Sequence, residues 1–327
     1  RGYSRAHFQR GISNLLLNDL DESWSDFTAA ISLEADFDGS YFYRGEVNFR
    51  TDDYDEALSD LNFALFLNPE NTLTLYSRAK IYMNIQNYKD SLKDLETILE
   101  KDPENIDIMT SLAPLYQMNS NYEKAIKLLE QVIVINPEYE RAYFFLGKIK
   151  SSLLDDTAAI KHYSECIKLV KDNSEAYCMR GFCKLRKKEF EEALEDFDKS
   201  ITVNPEYAEA YLGRALVRVN LQESKKALPD FDMAIALDEE YKDAYIEFSN
   251  LLYTLSDFEK ATEIITMAII VDNKDFSLYY QRSRYRIELN DLDGALSDLN
   301  VAIKLNPEYT IAYYERANIK KIKEEYG

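Results

Sequence analysis

The chain has 327 residues, 46% of them hydrophobic, and 59 acidic against 39 basic side chains give it a net charge of -20. That charge repels phosphate backbones and excludes nucleic acid as a natural partner, and no run of 18 apolar residues is present to cross a bilayer as a helix. With 9 Gly, 7 Pro and 3 Cys, there is little room for long linkers and no basis for a disulfide framework.

From Ser4 onward one pattern returns every 34 residues without insertion or deletion. Residues 1–327 read as a single array with units 4–37, 38–71, 72–105, 106–139, 140–173, 174–207, 208–241, 242–275 and 276–309, and a partial unit 310–327. In each unit, apolar residues at helical spacing flank a polar break such as Thr51-Asp52-Asp53 or Asn119-Ser120-Asn121, which predicts two short antiparallel helices. The eighth place is small throughout, from Gly11, Gly45 and Ala79 to Gly181, Ala215 and Ala317. The twentieth is small as well, from Ser23 and Ala57 to Ala261 and Ala295. Two such columns mark where helices touch. Asn68-Pro69, Asp102-Pro103, Asn136-Pro137, Asn204-Pro205 and Asn306-Pro307 close the second helix, because proline cannot continue it and presets the start of the next.

The period together with the small, aromatic and proline places resembles the tetratricopeptide repeat family, over essentially the whole chain. The resemblance implies an all-α fold, a right-handed superhelical solenoid of antiparallel helix pairs with the first helices lining a concave face. It implies a role in protein binding and says little about which one.

The repeats can be compared with one another. Arg10, Arg44, Arg78, Arg180, Arg214 and Arg282 hold the seventh place in six units, and Asp26, Asp60, Asp94, Asp196, Asp230 and Asp298 hold the twenty-third in the same six. The other three units lack both, reading Leu112 with Leu128, Leu146 with His162 and Phe248 with Ile264. An arginine fork suits a carboxylate, and either partner left alone between helices is costly, so an ion pair joining the two helices of a unit is expected. Pro114 and Pro229 fall within helices and are expected to kink them. Cys166, Cys178 and Cys183 show no metal spacing and read as unpaired thiols. Arg1-Gly2-Tyr3 matches the tail of an earlier unit, with Tyr3 at the place of Tyr139 and Tyr207, and Glu325-Tyr326-Gly327 stops where a second helix is due. The chain therefore reads as a window from a longer protein.

By the resemblance, the second, fifth, sixth, ninth, twelfth and thirteenth places face inward. They carry an aromatic series, Phe8, Phe42, Tyr76, Phe144, Tyr280 and Tyr314, with Tyr43 and Phe145 beside it. Packing between repeats and contact with a ligand are both open to these rings. Bases gather in the same columns of the first six repeats, where Arg5, Arg50, Lys80, Arg141, Lys148 and Arg186 face Glu46, Asp107 and Glu175. A solvated face and a docking groove both fit this distribution. The candidate partner-binding residues are Phe42, Tyr43, Arg50, Tyr76, Lys80, Arg141, Phe144, Phe145, Lys148, Phe182 and Arg186, and an acidic peptide bearing aromatic residues is the partner they fit. The carboxylate clamp known in the family is not matched, since Ile311 and Glu315 stand where its bases belong.

His7 and His162 fall in helix-packing columns, and no convergent nucleophile, base and orienting group is visible, so neither catalysis nor a metal or other cofactor is expected. The reading is a non-catalytic protein-protein interaction scaffold; the alternative is a regulatory or targeting array of a larger enzyme or of a secretion or transport assembly. The cysteine usage fits a reducing cytoplasm, and an exported form with a processed N-terminus also fits. The oligomeric state is not legible.

Overall fold

A computed structural model of the chain describes residues 2–326, with side chains through residue 323. The described residues form nineteen α-helices and no strand, an all-α repeat solenoid. They group into two compact units, Arg1–Ile149 and Lys150–Gly327. The first holds α1 (Gly2–Leu16), α2 (Leu20–Leu33), α3 (Asp38–Arg50), α4 (Tyr54–Leu67), α5 (Thr72–Asn84), α6 (Tyr88–Lys101), α7 (Ile106–Met118), α8 (Tyr122–Ile135) and most of α9 (Glu140–Ser152). The second holds α10 (Asp156–Leu169), α11 (Ser174–Arg186), α12 (Phe190–Val203), α13 (Ala208–Asn220), α14 (Ser224–Leu237), α15 (Lys242–Thr254), α16 (Phe258–Val271), α17 (Phe276–Glu288), α18 (Leu292–Leu305) and α19 (Thr310–Tyr326). The boundary between the units falls in the last turn of α9, inside a repeat that lacks the Arg–Asp pair.

One turn geometry makes every helix pair. The fifteenth place of all nine repeats, from Asn18 to Asn290, adopts φ between 57° and 63° without a single glycine. Two backbone bonds close the first helix there, as in Leu154 N–H to the Ser151 carbonyl (3.0 Å) and Asp155 N–H to the Lys150 carbonyl (2.9 Å). This is the left-handed closure that satisfies the orphan carbonyls of a helix end. The next residue then starts the second helix: the side chains of Asp19, Asn87, Asn121, Asp155, Asp257 and Asp291 each accept an N–H three residues on. Ending one helix and capping the next within two residues leaves the chain no course but to reverse. Between repeats, α4, α8, α12 and α18 stop at the residue before the Asn of each Asn-Pro pair, as the sequence predicts.

The small columns are contacts. Ser23 Oγ donates to the Gly11 carbonyl at 2.9 Å and Ser91 Oγ to the Ala79 carbonyl at 3.0 Å. The Phe27 ring lies on Gly11 and the Phe197 ring on Gly181, and Phe197 also fills the space where a Cβ at Gly213 of the next repeat would stand. All three cysteines are buried and form no disulfide. Pro114 and Pro229 lie inside α7 and α14, both of which continue past them. Gly2 and Tyr3 belong to the first turn of α1. Tyr139 is held before its helix by a turn bond to the Asn136 carbonyl. α19 runs 17 residues, through the position of the intra-repeat turn; Arg1 and Gly327 lie outside the described residues.

The six expected ion pairs all form. In each, Nη2 of the arginine meets Oδ1 of the aspartate at 2.5 to 2.7 Å, and Nε donates to the same carboxylate, at 2.8 Å in the Arg78–Asp94 pair. Nη1 turns the other way, to the second helix of the preceding repeat: Arg44 to Thr28 (3.2 Å), Arg78 to Asn62 (2.6 Å), Arg180 to Ser164 (2.9 Å), Arg214 to Asp198 (2.8 Å) and Arg282 to Thr266 (3.1 Å). One guanidinium thus ties three helices. In repeats 4 and 8, where the pair is absent, the gap is apolar: Leu112 is fully buried, and Phe248 stacks on Phe231 at 5.3 Å.

Asp94 is 4% and Arg78 19% exposed, so truncating either alone strands a buried charge. Asp94→Leu is expected to cost about 3 to 5 kcal/mol, and Arg78→Leu with Asp94→Leu, which copies Leu112 and Leu128 of the next repeat, clearly less. Urea unfolding of the three variants gives the comparison. Leu154 holds its left-handed φ of 60° while exposed, so Leu154→Gly is expected to stabilise the chain by roughly 1 kcal/mol, the strain that a Cβ meets there, read as a rise in the same midpoint.

Candidate functional site

In the first unit, the exposed face of the first helices carries most of the candidate residues. Asn71 and Asn105 cap α5 and α7, their side chains accepting N–H groups at 3.1 to 3.2 Å, and so fix where each helix begins. The second, fifth and sixth places of neighbouring helices then adjoin. Between α5, α6 and α7 lies a pocket of about 330 Å³ lined by Thr72, Leu73 and Tyr76 of α5, Ile108 and Ser111 of α7, and Arg141 at the start of α9. Asp107 lies at its edge and accepts the Tyr139 hydroxyl at 3.0 Å, while Ser111 Oγ donates to the Asp107 carbonyl at 2.7 Å. Leu73 is 67% exposed, and Arg141 is exposed with no ion pair among the described residues.

The eleven candidates divide by what they touch. Tyr76 and Arg141 line this pocket together. Lys80 holds its ammonium 5.5 Å from the Tyr76 ring and 5.4 Å from Phe49, and Lys148 lies 5.5 Å from Phe144 one turn back on α9. Arg50 is exposed at the end of α3. The remaining rings pack between repeats. Tyr43 stacks on Phe27 at 5.6 Å and meets Phe8 edge-on; Phe42 lies against the Leu61 and Ile81 cluster; and Phe145 lies against the core of repeats 3 to 5. Phe182 and Arg186 belong to the second unit. There Phe182 meets Phe197 edge-on at 5.0 Å, and the Arg186 guanidinium is engaged by Asp156 at 2.5 Å and by Ser151 at 2.6 Å. Its charge is met within the fold.

Sequence reasoning did not single out Leu73, Ile108 and Ser111. The signal for Leu73 and Ser111 was present, because they occupy second and sixth places, but only the juxtaposition of consecutive helices makes them walls of one pocket. A second feature also went unread. Tyr41, Tyr177, Tyr211 and Tyr279, all at the fourth place, lie under the guanidiniums of Arg44, Arg180, Arg214 and Arg282 at 5.5 to 5.9 Å, a cation–π column that braces the ion pairs from outside. Among the described residues, no group of three or more His, Cys, Asp or Glu side chains could hold a metal ion, and His7 Nδ1 donates to Asp26 Oδ1 at 3.0 Å. No described helix is long and apolar enough to cross a membrane.

Three tetratricopeptide repeat models match residues 86–149, 140–173 and 174–207. Among solved structures, a tetratricopeptide repeat protein from Parabacteroides merdae ATCC 43184 aligns over 77% of this chain and 100% of its own with a TM-score of 0.64 at 18% identity. PilF of Pseudomonas aeruginosa aligns over 65% of this chain and 97% of its own with a TM-score of 0.57 at 19% identity. At these identities the likeness is one of fold. No curated protein matches the sequence. The helix-pair geometry is that of a tetratricopeptide repeat solenoid, and residues 86–207 match models of that family, an architecture of protein–protein interaction.

Burial and the bond to Asp107 hold the Tyr139 hydroxyl above the usual tyrosine range, so it stays a donor at neutral pH and occupies Asp107. Burial raises Tyr116, Tyr207 and Tyr241 in the same direction. A group raised on folding contributes stability that is full below its unfolded value, about 10 for tyrosine, and is lost as the pH climbs through the folded value. The urea midpoint is therefore expected to be level from pH 7 to 9 and to fall above about pH 10, with phenolate absorbance rising in step with unfolding.

Proposed function

We propose that the chain is a non-catalytic scaffold that captures an acidic, aromatic-bearing protein segment along the first-helix face of repeats 3 to 5. The observation that carries this reading is the convergence of Arg141 and Tyr76 on one pocket. An exposed guanidinium offers a fork to a carboxylate and a half-exposed ring offers a stacking surface. Lys80 and Lys148, each held against a ring of the same face, extend the basic track along α5 and α9. On a chain at -20, a local run of bases steers an acidic segment here and away from the rest of the surface.

Selection from a displayed random-peptide library against the whole chain tests the reading. Enriched peptides are expected to combine Asp or Glu with Tyr, Phe or Trp, and Arg141→Glu or Lys80→Glu is expected to weaken a selected peptide at least tenfold, about 1.4 kcal/mol, with the thermal midpoint unchanged. Enrichment of basic sequences, or binding indifferent to both substitutions, would refute it.

A further inference from the structure

The repeats without the Arg–Asp pair leave a mark on the layer formed by the second helices. In repeat 7, Arg214 covers Tyr211 at 5.5 Å and reaches back to Asp198, placing a charged group between neighbouring second helices. In repeat 8 the same place is Phe248, which turns inward onto Phe231. Tyr245 has no guanidinium above it, and Asp232, the counterpart of Asp198, has no arginine to meet. A groove of about 780 Å³ opens between α14 and α16. Its apolar wall comes from Ile264, Met267, Ile270 and Val271 of α16, of which the last three are 44%, 69% and 38% exposed. Its rim carries Asp232, Glu239 and Glu240, and no base lines it. The nearby Lys242 is bound by Asp272 at 2.9 Å and Asp275 at 3.2 Å.

The corresponding groove of repeat 4, of about 380 Å³, is also apolar, through Met109, Val134 and Ile135, but Lys127 offsets Glu104 and Glu130 on its rim. Of these two grooves, only that of repeat 8 has a rim of one sign. A second copy of the chain would bring the same net charge of -20 to an acidic rim, so self-association is opposed there.

We propose that the groove between α14 and α16 docks a basic amphipathic helix of a partner protein, its apolar stripe against Met267 and Ile270 and its Lys or Arg side chains against Asp232, Glu239 and Glu240. Anchors one turn apart suit the two-turn wall of α16.

The probe is a fluorescein-labelled peptide, LKKLLKLLKKLLKL, titrated into the whole chain at about 0.15 M salt, where diffuse surface attraction is largely screened. One-to-one saturable binding is expected. It should weaken at least tenfold in Met267→Ser with Ile270→Ser, which leaves the charge unchanged, and similarly in Asp232→Asn with Glu239→Gln and Glu240→Gln. It should be unaffected by Tyr76→Ala with Arg141→Glu, which separates this groove from the pocket of repeats 3 to 5. These positions are exposed or half-exposed, and circular dichroism melts confirm that each variant is folded. Equal binding by the Met267→Ser, Ile270→Ser variant would reduce the effect to general acidity and overturn the proposal. So would equal binding of the peptide with Glu in place of Lys, or a dimer in sedimentation equilibrium that the same serine variant dissolves.

Discussion

The bidentate ion pair between the seventh and twenty-third places is the interaction on which the rest of the packing depends. A carboxylate as buried as Asp94, at 4% exposure, is tolerable only if its oxygens are filled. The arginine fills them with two parallel bonds and spends its remaining nitrogen on the preceding repeat, at Asn62 in this case. A single side chain therefore sets the spacing within a helix pair and the register between pairs. Secondary donors at the eleventh place complete several of the carboxylates: Asn48 to Asp60, Lys184 to Asp196, Arg218 to Asp230 and Arg286 to Asp298. The same logic explains why a repeat keeps both partners or neither. Removal of one leaves a buried charge, whereas a pair of apolar side chains restores a continuous core, as Leu112 and Leu128 do.

Dropping the pair has a second consequence, on the surface. Repeats 4 and 8, which lack the pair, expose apolar grooves on the second-helix layer, whereas the pocket at the same places of repeat 6 is lined by Tyr177, Arg180 and charged side chains of α12. Energetic uniformity along the array and chemical individuality at particular repeats thus share one origin. The first-helix face of repeats 3 to 5 offers bases beside rings, and the second-helix groove of repeat 8 offers acids around an apolar wall. Surfaces of such opposed character suit partners of opposite charge, because electrostatic complementarity governs which encounters are productive.

The turns supply rigidity by an unusual choice of residue. Left-handed backbone at Leu154, Lys188 and Gln86 carries strain that glycine would avoid, yet the two bonds of the helix closure and the cap that follows hold it in place. With every reversal made the same way, the helices of a repeat present the same places to the same neighbours. Only residues that differ between repeats remain to carry specificity.

The amino-acid sequence by itself determined the repeat, its helix pairs, their stops at Asn-Pro, the small contact columns and the six ion pairs, because each of these recurs at a fixed place and periodicity makes it visible. It could not decide among rings that share a face. Tyr43 stacks on Phe27 and Phe145 joins the core, while Tyr76 lines a pocket with Arg141, and the choice rests on which side chain the neighbouring helix happens to supply. Nor could it show that Arg186 is consumed by Asp156, 30 residues earlier, or that the third nitrogen of each fork reaches the preceding repeat. Those outcomes depend on distances between side chains on separate helices, which the register constrains but the packing of unlike residues alone sets.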